Sequence, residues 1–407
     1  MKGLTMPTCG TSAVDAFGEY QRREYFPALD GARAICVLGV ICCHMADSRW
    51  WAWLSGGLGV NVFFVLSGFL ITTLAVREER AKGRVSLGAF YVRRSMRIFP
   101  LYYLALAVYA GLIYFTSWSA SARDNFTAAL PAYLLYFQEV PFAQDVIAAG
   151  RHSPFAHSWS LGIEEKYYLV WPVLGFVACR GRAGARLALA IGLCIVLTAG
   201  QSVGRLGPVV ADWSLNFLLY PYSQILCGCV LALLLDRPDW FRRLRVLGSI
   251  PGTVASAIVF AALQLAYNPF GTQAPELVVL HTIAATALVG SLVLGGGWLT
   301  RALSTRPLLF LGRMSYGMYL FHALGISLAQ KLVHPATGRF DLALLSFALA
   351  VGASVAVAFL SSILVERPCI RLGRAWAKRI ASPSHPAASS STVAPFGASA
   401  GAVVATA

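Results

Sequence analysis

The chain has 407 residues, of which 57% are hydrophobic and only 13% charged, with a mean hydropathy of +0.64 and a formal net charge of +15. A soluble domain carries about a quarter charged residues. This composition therefore excludes an ordinary soluble globule and indicates an integral membrane protein. The apolar runs are continuous and do not alternate, which favours membrane helices over a β-barrel.

The first 26 residues are polar and lack a signal-peptide pattern, so 1–26 is predicted to be a cytoplasmic N-terminal segment. The region 375–407 becomes rich in Ser, Ala and Pro, and is predicted to be a cytoplasmic, largely disordered tail. Between them lie ten apolar segments long enough to cross a bilayer. This pattern predicts an all-α, polytopic membrane helical bundle with spans near 29–46, 58–76, 100–117, 162–179, 186–203, 214–235, 249–267, 279–297, 312–331 and 342–365.

The distribution of positive charge tests this layout. Of the 33 Lys and Arg residues, 25 fall in the segments predicted to be inside and six in those predicted to be outside. Such asymmetry is typical of cytoplasmic loops, so both termini are predicted to be cytoplasmic. The same asymmetry accounts for the net positive charge, since the basic loops would lie at the membrane and contact its lipids. No nucleic-acid partner is therefore expected.

The first predicted span carries two residues that are costly at membrane depth. Arg33 and His44 stand at the ends of RAICVLGVICCH, with ten uncharged residues between them. At 100° per residue both side chains lie on one helical face, roughly 16 Å apart along the axis. Ionisable groups inside a membrane usually mark function. The alternative is a snorkelling arginine and a structural histidine.

Three arginines, Arg93, Arg94 and Arg97, precede the third predicted span in FYVRRSMRIFPLYY. Arg94 and Arg97 are three residues apart and share a helical face. Guanidinium forks bind phosphate oxygens in a bidentate way, so the group is a candidate site for a phosphate-bearing ligand. Ordinary positive-inside charge, or binding of anionic lipid, is the alternative.

The stretch HSWSLGIEEKYYLVWP, residues 157–172, contains His157, Trp159, Ser160 and two glutamates at the outer entrance of the fourth predicted span. A carboxylate here, Glu164 above all, is a candidate partner for His44, because a His–carboxylate pair orients an imidazole for general-base work. The alternative is a helix start, with Ser160 as the cap and acidic residues in the first turn.

Weaker candidates lie in two further apolar segments. Residues 56–72 hold glycine and serine suited to close helix packing, with Ser67 as a candidate polar contact. Tyr319 and His322 lie inside the ninth predicted span. The cysteines have no metal-ligand spacing, and the P-loop, GxSxG and HExxH motifs are absent. No metal site, ATPase, serine esterase or zinc protease is therefore expected.

Together these segments resemble the membrane-bound acyltransferase 3 family, which includes O-antigen acetylases. The matching stretches follow the family order from residue 28 to about 374: LDGARA with Arg33-x10-His44, GVNVFFVLSGFLI, Arg94-x-x-Arg97 before IFPLYY, HSWSLGIEE, SYGMYLFH and VERP. The resemblance implies an acyltransferase membrane domain over 27–374. The resemblance is to the membrane-only form of the family, and no fused hydrolase-like domain, as in some members, is expected.

The resemblance also implies an activity in a bacterial inner membrane: transfer of an acyl group, often acetyl, from acyl-coenzyme A (acyl-CoA) to a hydroxyl of an envelope glycan or lipid-linked glycan. His44 would be the general base or a transient acyl carrier, with Glu164 as its partner. The donor phosphates would be held by Arg33, Arg94, Arg97 and Arg93. The acceptor side would be formed by Trp159, Ser160, His157, Ser67, Tyr319 and His322.

Two other functions fit parts of the sequence. A transporter of an acyl group or a lipid-linked sugar would also have a path lined by His and Arg. An accessory protein that binds lipid headgroups through basic loops would tolerate lysine at Arg94 and Arg97, because charge alone attracts lipid.

Overall fold

The computed structural model describes residues 13–45, 56–116, 118–142, 153–203, 213–266, 275–333 and 339–381. Within these ranges the regular structure is helical and contains no strand, which confirms the all-α prediction. Residues 382–407, most of the predicted tail, lie outside the described residues, as do residues 1–12 of the predicted N-terminal segment.

The described α-helices are numbered in chain order. They are α1 Ala13–Arg22, α2 Pro27–Cys43, α3 Gly59–Lys82, α4 Leu87–Phe115, α5 Ala120–Leu134, α6 Trp159–Val173, α7 Ala183–Val203, α8 Trp213–Leu235, α9 Pro238–Leu244, α10 Ile250–Ala266, α11 Pro275–Leu294, α12 Trp298–Leu303, α13 Arg306–Leu332, α14 Phe340–Ser361 and α15 Arg367–Ala381.

Each of the ten predicted spans overlaps one of these helices, but fewer meet the requirements of a span by themselves. Five helical stretches of the described chain are long and apolar enough to cross a membrane, and the number is seven if two bent helix pairs each count as one span. One of the five runs from Phe340 to Ala381 through α14 and α15. A bundle of ten spans with both termini in the cytoplasm stays a prediction.

Proline shapes the ends and interruptions of these helices. Pro27 occupies the first turn of α2, where its missing N–H is not needed. Pro172 lies inside α6 and cannot donate to the carbonyl four residues earlier. The helix continues after it as a π-helical turn, Leu174–Ala178. A second π-helical turn, Ser362–Glu366, joins α14 to α15.

Glycine allows α3 and α8 to cross at backbone contact. A Cβ atom on Gly68 would collide with the carbonyl of Ile225, and one on Gly228 would collide with the carbonyl of Val65. Small residues at such a crossing let two helices approach closely. Close packing of the 56–72 segment is therefore confirmed at Gly68.

The last helix, α15, lies antiparallel to the first half of α4. A Cβ on Gly373 would lie 2.6 Å from the Cβ of Met96, and one on Gly88 would lie 3.2 Å from a methyl group of Ile380. The helix continues past residue 374, where the predicted tail begins. This packing places the arginines of α15 beside those of α4.

Candidate active site

A cavity of about 820 Å³ is enclosed by α2, α3, α4, α6, α13 and α15. Seven of the predicted site residues line it: Arg33, Ser67, Arg94, Arg97, Ser160, Glu164 and Tyr319. The other five do not: Arg93, His44, His157, Trp159 and His322. The structure thus brings the predicted phosphate-binding arginines together with the carboxylate and hydroxyls of α6 and α13.

Of the predicted donor-site arginines, three line the cavity, and two of these are held by neighbouring groups. Arg33 lies 3.5 Å from the carboxylate of Asp30. The guanidinium of Arg94 lies over the ring of Tyr168, 5.1 Å from its centroid, an arrangement that leaves the edges of the fork free for an anion. Arg97 is exposed and has no ion pair within the described residues.

The prediction that Arg93 joins this group is not supported by its position. Its guanidinium forms an ion pair with Glu78 at 3.1 Å and does not line the cavity. Arg94 and Arg97 are three residues apart and share a face of α4, whereas Arg93 is turned about 100° from Arg94. Arg93 therefore lies outside the cavity, where it pairs with Glu78.

Tyr25, in the turn between α1 and α2, lies at the cavity mouth. Its hydroxyl donates to Asp30 at 2.5 Å. Burial, and then this bond to a carboxylate, raises the pKa of Tyr25 above its usual value. Asp30 thus accepts from Tyr25 and forms ion pairs with both Arg33 and Arg313, the latter at 3.9 Å.

Glu164 has partners other than the one predicted. Its two carboxylate oxygens accept hydrogen bonds from the hydroxyls of Ser67 and Tyr168, both at 3.0 Å. His44 instead directs Nδ1 at the carbonyl of Val40, at 2.8 Å. The expected His44–Glu164 pair is therefore absent from the described contacts, because α3 and α6 hold the carboxylate in the cavity wall while His44 lies at the far end of α2.

Ser160 is not the cap of α6. Ser158 occupies the cap position, but its hydroxyl donates to the carbonyl of Phe155 at 2.9 Å and does not cap the helix, and the hydroxyl of Ser160 lies 2.7 Å from that of Tyr319. The Tyr319 hydroxyl donates to the backbone carbonyl of His157. Since a carbonyl only accepts, Ser160 donates to Tyr319. This short chain links the cavity to the 3₁₀ turn at 156–158.

Three histidines meet beyond that link. The ring centroid of His322 lies 5.0 Å from that of His44 and 4.8 Å from that of His157. His322 is fully buried, His157 is 8% exposed, and His44 is exposed. We call these three residues the histidine cluster. The sequence separates them by more than a hundred residues, and only the packing of α2, α6 and α13 joins them.

Each ring of the histidine cluster is oriented by a backbone carbonyl. Nδ1 of His44 faces Val40, Nε2 of His157 faces Leu320 at 3.1 Å, and Nδ1 of His322 faces Tyr319 at 2.7 Å. A nitrogen that faces a carbonyl carries the proton in a neutral ring, and the other nitrogen then holds a lone pair. The basic nitrogens are thus Nε2 of His44, Nδ1 of His157 and Nε2 of His322.

Trp159, predicted to contact the acceptor, packs in the core beside the cavity. Its indole stacks on Phe142 with ring centroids 5.2 Å apart, and meets the edge of Phe64 at 6.0 Å. These contacts fix the start of α6, so that Ser160, the next residue, faces the cavity.

Sequence reasoning missed several residues of the cavity wall. Tyr168 follows Glu164 by four residues, a spacing that places both on one face of α6. Three arginines of α15 also line the cavity: Arg367, Arg371 and Arg374. Their spacing of four and three residues was visible in the sequence, but positive-inside charge already accounted for them. Among the described residues, no group of three or more His, Cys, Asp or Glu could hold a metal ion.

Comparison with known protein families assigns the chain to a class. A family model described as "Acyltransferase domain" matches residues 26–364. The chain belongs to this acyltransferase family, as the resemblance implied. With its apolar helices, the membership identifies an integral membrane protein.

The curated relatives carry related names. The chain is 28% identical over 379 residues to the peptidoglycan O-acetyltransferase OatA of Listeria monocytogenes, covering 86% of this chain and 57% of the relative. It is 30% identical over 323 residues to the putative peptidoglycan O-acetyltransferase YrhL of Bacillus subtilis, covering 74% and 49%. A putative O-acetyltransferase of Staphylococcus aureus is 26% identical over 360 residues, covering 77% and 53%.

The chain spans about half the length of the curated relatives it matches. No solved structure matches it.

Proposed function

We propose that this protein is an integral-membrane O-acyltransferase of the bacterial inner membrane. It moves an acyl group, acetyl in the first instance, from acyl-CoA to a hydroxyl of a cell-envelope glycan. Relatives named peptidoglycan O-acetyltransferases support a peptidoglycan acceptor. A lipid-linked glycan precursor offers the same hydroxyl chemistry within reach of the membrane.

One observation carries the proposal: a single cavity joins arginines at one end to hydroxyls beside the histidine cluster at the other. Arg94 and Arg97 line one part of the wall, and Ser160 and Tyr319 line another. Such a cavity suits a long donor with phosphates at one end and a thioester at the other. Paired guanidinium groups bind phosphate oxygens more specifically than point charges do.

The proposed chemistry uses His44 as the general base. Its Nδ1–H is held by the carbonyl of Val40, so the lone pair of Nε2 is available for a proton. Nε2 takes the proton of the acceptor hydroxyl as the oxygen attacks the thioester carbon. The carbon–sulfur bond then breaks, and the departing thiolate takes the proton, which leaves an ester and free CoA. General-base catalysis of this kind contributes about 10²–10⁴-fold.

Other residues of the site would position the reactants. Ser160 and Tyr319 lie between the cavity and the histidine cluster, where they would hold the carbonyl end of the donor. Glu164 is anchored by Ser67 and Tyr168, which fixes its carboxylate in the cavity wall. The pairing of Glu164 with hydroxyls supports a role in shaping the donor site and not in orienting His44.

The proposal is tested with the full chain in nanodiscs, radiolabelled acetyl-CoA and soluble peptidoglycan fragments. We expect free CoA to appear together with an alkali-labile acetyl ester on the glycan. Release of CoA that depends on added glycan supports the acyltransferase. Movement of label across proteoliposomes without ester formation would instead identify the transporter, and the proposed function would be wrong.

A further inference from the structure

The mouth of the cavity carries a second group of arginines, on α15. Arg367, Arg371 and Arg374 all line the cavity, and their spacing of four and three residues puts them on one face of the helix. They extend over roughly 10 Å of the helix axis. All three are exposed, and the described residues give none of them an ion pair. We call them the α15 arginines.

The position of the α15 arginines is set by close packing. Gly373 lies between Arg371 and Arg374, where α15 rests against Met96 of α4 without room for a side chain. The same stretch of α4 carries Arg94 and Arg97. The two arginine groups therefore face one cavity from two helices in fixed contact.

The cavity wall has more positive charge than its own carboxylates neutralise. Eight arginines line it, against five carboxylates. Asp30 already accepts from Tyr25 and pairs with Arg33, and Glu164 is bound by two hydroxyls. The excess indicates an anion with more charge than one diphosphate, bound at more than one place.

We propose that the α15 arginines form a second anion subsite, which takes the 3′-phosphate on the ribose of the CoA donor. This inference rests on the proposed function, since it assigns the outer end of the same donor. A phosphomonoester carries about −1.5 to −2 charges at pH 7 and three acceptor oxygens, which suits several guanidinium forks. The 3′-phosphate is at the end of CoA remote from the thioester, and so belongs at the cavity mouth when the thioester lies deepest.

Binding of acetyl-CoA and of its 3′-dephospho analogue distinguishes this subsite from the rest of the donor site. Calorimetry uses the full chain in zwitterionic phosphatidylcholine nanodiscs, as wild type and as Arg371→Gln/Arg374→Gln. The matched control is Arg379→Gln, because Arg379 is an exposed arginine of α15 that does not line the cavity.

We expect wild type to bind the dephospho analogue at least about tenfold more weakly, the effect of losing one or two charge-assisted hydrogen bonds. The double variant should lose most of this discrimination, because only Arg367 of the three α15 arginines remains, while the control should discriminate like wild type. Glutamine keeps the length of the side chain, and binding of the dephospho analogue shows that each variant is folded.

Three results would overturn the subsite. Wild type that binds both donors equally removes it while leaving the acyl-CoA donor in place. A double variant that discriminates as strongly as wild type assigns the 3′-phosphate elsewhere. Failure of wild type to bind either thioester removes the donor and the subsite together.

An anionic lipid headgroup offers the same phosphate chemistry. If phosphatidylglycerol in the discs abolishes the discrimination of wild type but not its affinity for the dephospho analogue, the α15 arginines bind lipid in preference to the donor.

Discussion

The imidazole ring of His322 lies 5.0 Å from that of His44, centroid to centroid, with the two planes at 62°. His322 is fully buried, and its Nε2 has no hydrogen-bond partner in the described structure. A buried polar atom without a partner costs about 1–3 kcal/mol, so its retention suggests a use. The ring of His322 lies beside a neighbour, His44, that would become cationic during general-base catalysis. His322 is thus placed to stabilise a protonated His44.

Replacement of the proposed base should remove turnover without removing donor binding. We expect His44→Gln to lower the rate of acetyl transfer by about 10²–10⁴-fold, since the hydroxyl would lose its proton acceptor. Affinity for acetyl-CoA should change little, because His44 does not line the cavity. Calorimetry and a CoA-release assay on one preparation separate the two quantities. A variant that transfers acetyl at the wild-type rate contradicts the role of His44.

His322 should act through His44 as a positioning residue. We expect His322→Leu to lower kcat by about tenfold, the equivalent of one hydrogen bond of ~1.4 kcal/mol, with an unchanged KM for acetyl-CoA. The acidic limb of the pH–rate profile should move to lower pH, because protonated His44 loses a nearby acceptor. Thermal unfolding serves as the control. A loss of stability with an unaltered pH profile would identify a purely structural histidine.

Lysine should not replace the arginines of the cavity wall. We expect Arg94→Lys/Arg97→Lys to weaken acetyl-CoA binding by at least about tenfold, because an ammonium group cannot form the bidentate fork. Arg93→Lys is the matched control, since Arg93 pairs with Glu78 outside the cavity. Equal affinity of the double variant and wild type would favour the accessory, lipid-binding alternative, in which charge alone suffices.

Replacement by alanine should have opposite effects on stability at two glycines, one at the crossing of α3 and α8 and one in an open position of α4. Gly68→Ala should destabilise the protein by about 1–3 kcal/mol, because the new methyl group meets the backbone carbonyl of Ile225. Gly111→Ala should stabilise it by about 0.5–1 kcal/mol, since open space surrounds that site in α4 and alanine favours a helix. Denaturation in one detergent compares the two. Destabilisation by both would show that helix propensity and crossing geometry are not separable here.

The arginines of α4 have different surroundings, and their spacing in the sequence predicts part of this difference. The three-residue interval predicted that Arg94 and Arg97 share a face, and both line the cavity. Adjacency in sequence also groups Arg93 with them. The helical rotation of about 100° per residue turns it to Glu78 instead. Periodicity within one helix could be predicted, whereas the partner of each face could not.

The amino-acid sequence alone establishes that this is a helical membrane protein, because the bilayer sets the length and composition of a spanning helix regardless of its neighbours. It also determined the candidate residues, because ionisable groups at membrane depth are costly wherever they occur. Which of these residues meet depends on the tertiary structure. Helix packing brings the rings of His44, His157 and His322 together. It also places the hydroxyls of Ser67 and Tyr168 within hydrogen-bond distance of Glu164, and it places the arginines of α15 in the cavity wall. These contacts depend on packing between helices that are distant in the chain, and no local spacing specifies it.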